Sequence, residues 1–517
     1  MFRKIKFSTP VVYSSAILSY TWIRDKEKEL HSKEFTYKEL EKHTNKETGI
    51  WTSYKNNIYD ITKFIDIHPG GSDKIMLAAG TNLDQYWIQY KQHLKPEVID
   101  KILKPMKIGT IKDYDKNKHD TINADKYINE PIRSTNLDFH SFKPCNAEVN
   151  PKILISNYIT PNNQWYIRNH SNVPNIDINN YKLNIDITKN YNDNIFTNLL
   201  FTNNYNYNLN LNKIKLMNSH SVITTLQCGG NRRKELNNHS KTLGTSWGIG
   251  AISTAKFKGV LLKDLLPKNI NKNIKFVNIK GYDDVEVSIP IEKVMNPYGD
   301  VILAYEMNDE LLPKDHGYPL RLIVPGYVGI RNIKWIKSIK LSDKCVDNQW
   351  QTQLSYKALP NFIKNMEDIK LNNINLESYY PINSQPVTSA ICDIDYDEEY
   401  IIVKGYAYSG DGKNILHVDV SIDGGETWKL AELKDGSEQE YNRAWSWTLW
   451  EIKIPYNNKN SSYNYYFSDL VPLFKNSIKI MCKATDSGYN IQPKTIEDIW
   501  NIRGLNNNSI HSVDYNI

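Results

Sequence analysis

The sequence predicts an α+β multidomain protein, with a small α+β domain first, a larger mixed α+β domain in the middle and an all-β sandwich last. Three observations predict this. The chain has 517 residues, enough for about three domains at roughly 100–200 residues each. A polar, densely charged stretch at 112–150 separates two segments that mix strand and helix patterns. From about residue 380 onward the pattern is β alone. With 40% apolar and 24% charged residues the chain can bury several cores. Its 64 basic and 58 acidic residues leave a formal charge of +6, too diffuse to point to nucleic acid or an anionic membrane surface. No apolar run approaches the roughly 18 residues of a membrane helix, so no stable membrane span is expected. Five scattered cysteines without a C-x-x-C pair argue against a disulfide scaffold or a structural zinc site.

Residues 1–30 form a candidate targeting segment. Arg3, Lys4, Lys6 and Arg24 precede the first acid, Asp25, and the stretch is rich in hydroxyls. That is the composition of a mitochondrial presequence; no A-x-A cleavage site supports a secretory signal, and an untargeted terminus fits the same residues. Residues 31–112 are compact and mixed, and residues 113–150 read as a flexible linker ending in an extended approach to the next domain. Residues 151–356 alternate short strands and helices, interrupted at 186–212 by an Asn/Tyr-rich tract expected to be a surface loop. Residues 357–517 hold the sandwich of roughly seven strands. There Leu416, Val418, Val420 and Ile422 alternate, Asp423-Gly424-Gly425 turns the chain, and Trp428 and Leu430 resume.

The first chemical signal is a histidine pair. His68 stands in Ile67-His68-Pro69-Gly70-Gly71, and His93 follows after an apolar helical stretch containing Ile75, Met76, Leu77, Trp87 and Tyr90. Pro69 ends any helix, and the two glycines let backbone approach a bulky planar ligand. Two imidazoles across an apolar slot suit a six-coordinate haem iron, which passes single electrons but cannot bind oxygen. A turn histidine plus an unrelated helix histidine is the plainer alternative. HPGG, the upstream Asp60-Ile61-Thr62-Lys63-Phe64 and the later His93 together resemble the cytochrome b5 domain, which implies haem b with His68 and His93 as iron ligands.

The second signal is one cysteine. Val222 to Gln227 reads as a strand delivering Cys228 to the turn Gly229-Gly230-Asn231-Arg232-Arg233. The adjacent guanidiniums are expected to favour a thiolate, the ligand a soft or high-valent metal takes. A buried inert thiol is the alternative, and the flanking arginines weigh against it.

The segments LQCGGNRR (226–233), WYIRNH (165–170), GTSWGIGAIS (244–253), the run 304–335 and DSGYNIQP (486–493) are similar to sulfite oxidases of the animal type. The resemblance covers about residues 33–505 and includes the domain order: b5 haem domain, molybdopterin domain, immunoglobulin-like sandwich. It implies a molybdenum–molybdopterin cofactor with Cys228 as the protein ligand to molybdenum. It assigns pterin contacts to Tyr166, Ile167, Arg168, Asn169 and His170, to Asp283, His316 and Arg321, and to Asn332, Ile333 and Lys334. It assigns the sulfite/sulfate pocket, and with it catalysis, to Arg168, Arg233, Trp247, Tyr356 and Arg503. The chain departs from the family in having Gly229 where alanine is usual, in one extra residue near Tyr356 (WQTQLSYK), and in the Asn-rich tract.

The implied reaction converts sulfite and water to sulfate, two protons and two electrons, which leave singly through the haem to cytochrome c. Three arginines from distant regions of the chain suit such a dianion, because each offers a planar donor fork. The resemblance also implies the mitochondrial intermembrane space and a homodimer through the sandwich, for which Trp445, Trp447 and Trp450 are expected to supply spare aromatic surface. A nitrate reductase shares the molybdenum fold but places its haem domain second. A haem carrier with an inactive molybdenum-type domain would have no use for Cys228 and the arginines.

Overall fold

The computed structural model describes residues 33–68, 75–76, 78–87, 96–112, 114, 127, 129–190, 205–397, 399–456 and 477–516. The chain divides into two units, residues 1–128 with 141–143 and residues 129–140 with 144–517. The candidate targeting segment at 1–30 lies outside the described residues.

In the first unit Thr36 caps the helix Tyr37–Leu40 and Glu39 bonds back to the Thr36 amide, so two otherwise orphaned amides are satisfied by a reciprocal box. A five-stranded sheet runs Glu34–Phe35, Lys107–Ile111, Asn57–Asp60, Gly49–Tyr54, Thr44–Asn45, with only the first pair parallel. The Asp60 carboxylate accepts the Thr62 amide at 3.0 Å, and Thr62 Oγ1 accepts the Ile50 amide at 2.7 Å. That turn feeds the 3₁₀ segment Ile65–Ile67, which ends at His68. Ile50, Tyr54, Tyr59, Ile61, Ile65, Leu83, Trp87 and Leu103 form the core beside it.

The second unit begins earlier than the sequence pattern implies. Leu137–Phe142 and Cys145–Val149 are strands, and all five residues of the latter are buried. Arg133 is fixed by two carboxylates, Glu130 and Asp315. Within the expected linker at 113–150, apolar Leu137, Cys145, Ala147 and Val149 carry these strands into a core. One five-stranded sheet runs Asn206–Leu209, Leu183–Asp186, Ile336–Ser342, Phe276–Gly281, Glu286–Pro290. In another, Ser219–Gln227 is an edge strand paired antiparallel to Ile252–Leu261, which is followed by Ile302–Met307. A portion of the Asn-rich tract is thus a strand rather than a loop: Asn206–Leu209 pairs with Leu183–Asp186. Residues 191–204 of that tract lie outside the described residues.

The C-terminal region is β, as expected, in two four-stranded sheets: Thr388–Tyr396, Tyr400–Tyr408, Thr448–Pro455, Glu432–Leu433, and Lys429–Leu430, Ile415–Ser421, Ser477–Asp486, His511–Asn516. One expected alternation fails locally. A register shift between Ile415 and His417 places Ile415 inward with Val418 and Val420, leaving Leu416 45% exposed. The tryptophan expectation is also corrected. Trp445, Trp447 and Trp450 are 6%, 0% and 1% exposed, so they offer no spare surface to a second copy. Trp445 and Trp447 instead join Trp165, Leu226, Cys228, Trp247, Tyr406 and Tyr408 in one core shared by the central and C-terminal regions.

Candidate active site

The edge strand Ser219–Gln227 is rich in β-branched residues, and its last four positions are buried. It hands Cys228 to a turn in which Asn231 N donates to Cys228 O at 2.9 Å and Arg233 N to Gly230 O at 3.0 Å. The cysteine is held from both sides: its amide donates to Ala251 O at 2.9 Å, and its Sγ accepts from Gly230 N at 3.4 Å. Gly230 is demanded by crowding, since a Cβ there would lie 2.6 Å from Arg233 Nη1 and 2.8 Å from Trp247 Cδ1. At Gly229 a Cβ would press Val328 Cγ2 at 3.1 Å, a close fit that glycine relieves.

The two arginines of the turn diverge. Arg232 is left-handed, with φ 64, and its wholly buried guanidinium goes to Glu235 at 2.8 and 2.7 Å and to Ser389 O at 3.2 Å. It therefore does not flank the thiol as the sequence suggests. Arg233 does: it donates to Gly504 O at 2.8 Å, Thr245 O at 2.9 Å and Arg503 O at 3.5 Å, all neutral carbonyls. Burial pulls its pKa below the ordinary arginine value; Cys228 works the other way, and Arg503 and Arg168 press it further down.

Cys228 opens onto a cleft. Of the residues named from the sequence, Tyr166, Arg168, His170, Asp283, His316, Arg321, Asn332, Ile333, Lys334 and Tyr356 also line it. They arrive from distant places: the short strand Ile167–Arg168, the 3₁₀ turn Lys314–His316, the strand Arg321–Ile323 and the segment after Gly329–Arg331. Ile167 packs into the core instead, and Asn169 lies fully buried behind the wall, bonded to Asp315 and Lys334. Trp247, 1% exposed, is a core residue with its ring edge against His140, and Arg233 and Arg503 stand behind the lining.

The cleft has more positive charge than the protein neutralises. Arg321 is 4% exposed, donates only to the carbonyls of His316 and Asn332 at 2.9 and 3.3 Å, and leaves Nε without a partner. Burial lowers its pKa to about 10. Arg168 donates to Asn146 and Asn169, and Arg503 to Ser355 O at 2.9 Å, with its Nε also unpartnered. Among the described residues no carboxylate pairs with Arg168, Arg233, Arg321 or Arg503. His170 Nε2 is another buried orphan, and burial holds both His170 and His316 neutral, the latter near pKa 3. Burial lowers Lys334 and raises Asp283 and Tyr356, so the tyrosine keeps its phenolic proton. Cationic donors without anions, converging beside one thiol, fit an anionic cofactor with a thiolate-binding metal. In the first unit His68 is half-buried with its ring centroid 5.8 Å from that of Phe64 and an apolar core alongside, a setting that fits a haem; His93 lies outside the described residues.

Three groups that matter to this wall are not singled out by the sequence: Arg133, Asp315 and Glu235. Asp315 and Glu235 sit inside quoted motifs or one turn beyond, but only the fold reveals that each meets an arginine, Arg133 and Arg232 respectively.

Mitochondrial sulfite oxidase of Homo sapiens is 35% identical to this chain over 511 residues, covering 96% of this chain and 87% of the human protein. The chain belongs to the sulfite oxidase family. Its family members include mitochondrial sulfite oxidase of Drosophila melanogaster, 36% identical over 495 residues with 93% of this chain and 80% of that one covered. Three family models match in order: cytochrome b5-like heme/steroid binding domain at 36–112, oxidoreductase molybdopterin binding domain at 170–350 and Mo-co oxidoreductase dimerisation domain at 372–517. The cofactors of a sulfite oxidase family member, molybdopterin and haem, thus match the domains present. Among solved structures, the sulfane dehydrogenase SoxCD from Paracoccus pantotrophus shares the fold, with TM-score 0.54, 21% identity, and 75% of this chain and 86% of that one covered. No helix among the described residues is long and apolar enough to cross a membrane.

Proposed function

We propose that this chain oxidises sulfite to sulfate in the Cys228 cleft and passes the electrons singly through a b-type haem to cytochrome c. The observation that carries the reading is the cleft itself: one thiol beside arginines that pair with no carboxylate among the described residues. When bound, molybdenum supplies the two-electron oxygen-atom chemistry and the haem iron takes up the electrons one at a time.

The protein's task is to hold and orient. Cys228 is the metal ligand, its sulfur steadied by the Gly230 amide. Tyr166, His170, Asp283, His316, Arg321, Asn332, Ile333 and Lys334 would cradle the pterin, with the unpartnered Arg321 Nε and His170 Nε2 free to bond it, and Ile167 and Asn169 would support that wall from behind. Arg168, Arg233 and Arg503 bind the dianion. Tyr356, kept protonated by burial, donates its hydroxyl proton as a hydrogen bond to a sulfite oxygen. Trp247 acts from the core, packed where Gly230 leaves room, and so keeps the Cys228 turn in place. Fixed donors stabilise charge without reorganising. His68 and His93 would hold the haem iron.

The proposed divisions are a targeting segment at 1–30, a haem domain at 31–112, a molybdopterin domain at 151–356 and a sandwich at 357–517 that forms a homodimer. The proposed location is the mitochondrial intermembrane space. The test combines metal analysis with spectroscopy. Purified protein should carry molybdenum and haem in equal amounts, and sulfite should reduce the Soret band. Cys228→Ser should keep the haem and lose sulfite-dependent reduction. Unchanged reduction in that variant would overturn the assignment.

A further inference from the structure

We propose that Arg133, in the stretch that follows the haem domain in sequence, is a positioning residue for the cofactor cleft, because it engages the carboxylate of Asp315 and so leaves the cleft's cations free for an anion. The inference rests on the reading that the cleft takes the anionic molybdopterin.

Arg133 donates Nε to Asp315 Oδ2 and Nη2 to Asp315 Oδ1, both at 2.8 Å, and is braced from the other side by Glu130. The side chains are 11% and 7% exposed, so the fork is a largely desolvated bidentate pair rather than a surface bridge. Glu130 is itself anchored, accepting the Val173 amide at 2.8 Å. On the cleft side Asp315 Oδ1 accepts the Asn169 amide nitrogen at 2.9 Å, which turns the Asn169 oxygen toward Lys334 Nζ. Lys334 also donates to the main-chain oxygens of Asp315 and Arg168, at 2.9 and 3.1 Å.

Asp315 lines the cleft with Lys334 and Asp283, and of the two carboxylates it acts the more strongly on the lysine. Burial opposes its ionisation, yet the Arg133 fork keeps it below the usual carboxylate range, with His316 and Lys334 adding to the effect. While Arg133 holds that carboxylate, the lysine spends its donors on neutral oxygens and its charge stays available. Without Arg133, Asp315 would be a buried anion facing the site meant for another anion.

The measurement is the ratio of molybdenum, and of oxidised pterin released on denaturation, to haem iron; the haem counts chains in each sample. Arg133→Gln is expected to retain roughly 10- to 100-fold less cofactor per haem after gel filtration, the usual scale for a residue acting through a ligand's neighbour. Adding Asp315→Asn to that variant removes the uncompensated charge and should restore retention, and Arg133→Lys, which keeps the charge and is the milder change, should stay close to the unaltered protein. A merely structural role predicts the opposite for the double variant, which would lose more. Full retention in Arg133→Gln, no rescue by Asp315→Asn, or equal loss in Arg133→Lys each overturns the inference. Unaltered protein that carries haem but neither molybdenum nor pterin would instead overturn the reading of the cleft.

Discussion

Replacing Glu235 with glutamine tests how the Cys228 turn is held. Glu235 accepts Arg232 Nε at 2.8 Å and Nη2 at 2.7 Å, and Asn507 Nδ2 at 3.4 Å, while Arg232 is wholly buried. Burial works against the carboxylate, but Arg232 and then His511 hold its pKa below the ordinary value. Glu235→Gln therefore strands a buried guanidinium beside the helix that Arg233 begins, and the expected cost is about 3–5 kcal/mol. Replacing both partners, Glu235→Leu with Arg232→Met, should cost less than the single change, because no charge is left behind. The assay is denaturant unfolding followed by tryptophan fluorescence, with haem absorbance read in parallel as a control on the other unit. A second arm uses pH. His511 is pushed down to about 4 by burial, with Glu235 opposing and Arg232 assisting. It is neutral when folded and charges more readily when unfolded, so it stabilises above about pH 6.5, and that contribution is lost as pH falls toward 4. An unchanged midpoint in Glu235→Gln, or a double variant weaker than the single, would refute the reasoning.

The other expectations are simpler. Arg233→Gln should raise the Michaelis constant for sulfite about 10- to 150-fold, the worth of one charge-assisted contact to a desolvated anion; because Arg233 also ties Gly504 and Thr245, it should lower the denaturation midpoint too, and unchanged kinetics would place the anion elsewhere. His68→Ala and His93→Ala should each abolish the low-spin b-type spectrum with molybdenum still bound, and an intact spectrum in either removes that histidine from the ligand set. Light scattering at micromolar concentration should give a dimer whose mass Trp445→Phe leaves alone, since that ring is buried within its own chain; a shift to monomer would mean the ring reaches the interface.

Much of the cleft is legible in the sequence because its chemistry is compressed into short words. CGGNRR announces a thiol in a crowded turn, and the fold supplies the crowding at Gly230. The split between Arg232 and Arg233 is not legible. It depends on one left-handed residue, which sends neighbouring side chains to opposite partners, and no composition signal marks an arginine for that conformation. Arg133 reads as linker for a related reason: its surroundings are polar, and its partner stands 182 residues away. The tryptophans mislead because aromatic density says that something large is buried, not against what. Leu416 leaves the expected alternation because of one bulge, which shifts the inward phase by a single residue.

The core that joins Trp165, Leu226 and Trp247 to Tyr406, Tyr408 and Trp447 has a consequence for how such a chain can be rearranged. A cut near residue 357 looks harmless on paper, but it would split a solid rather than detach a module. Tyr406 donates to Ile249 O at 2.9 Å and accepts from Asn231, and Asn231 belongs to the Cys228 turn. The sandwich thus packs directly behind the turn that carries Cys228. Deleting it would lay that shared core open, and grafting the central region onto another partner would require the newcomer to rebuild it.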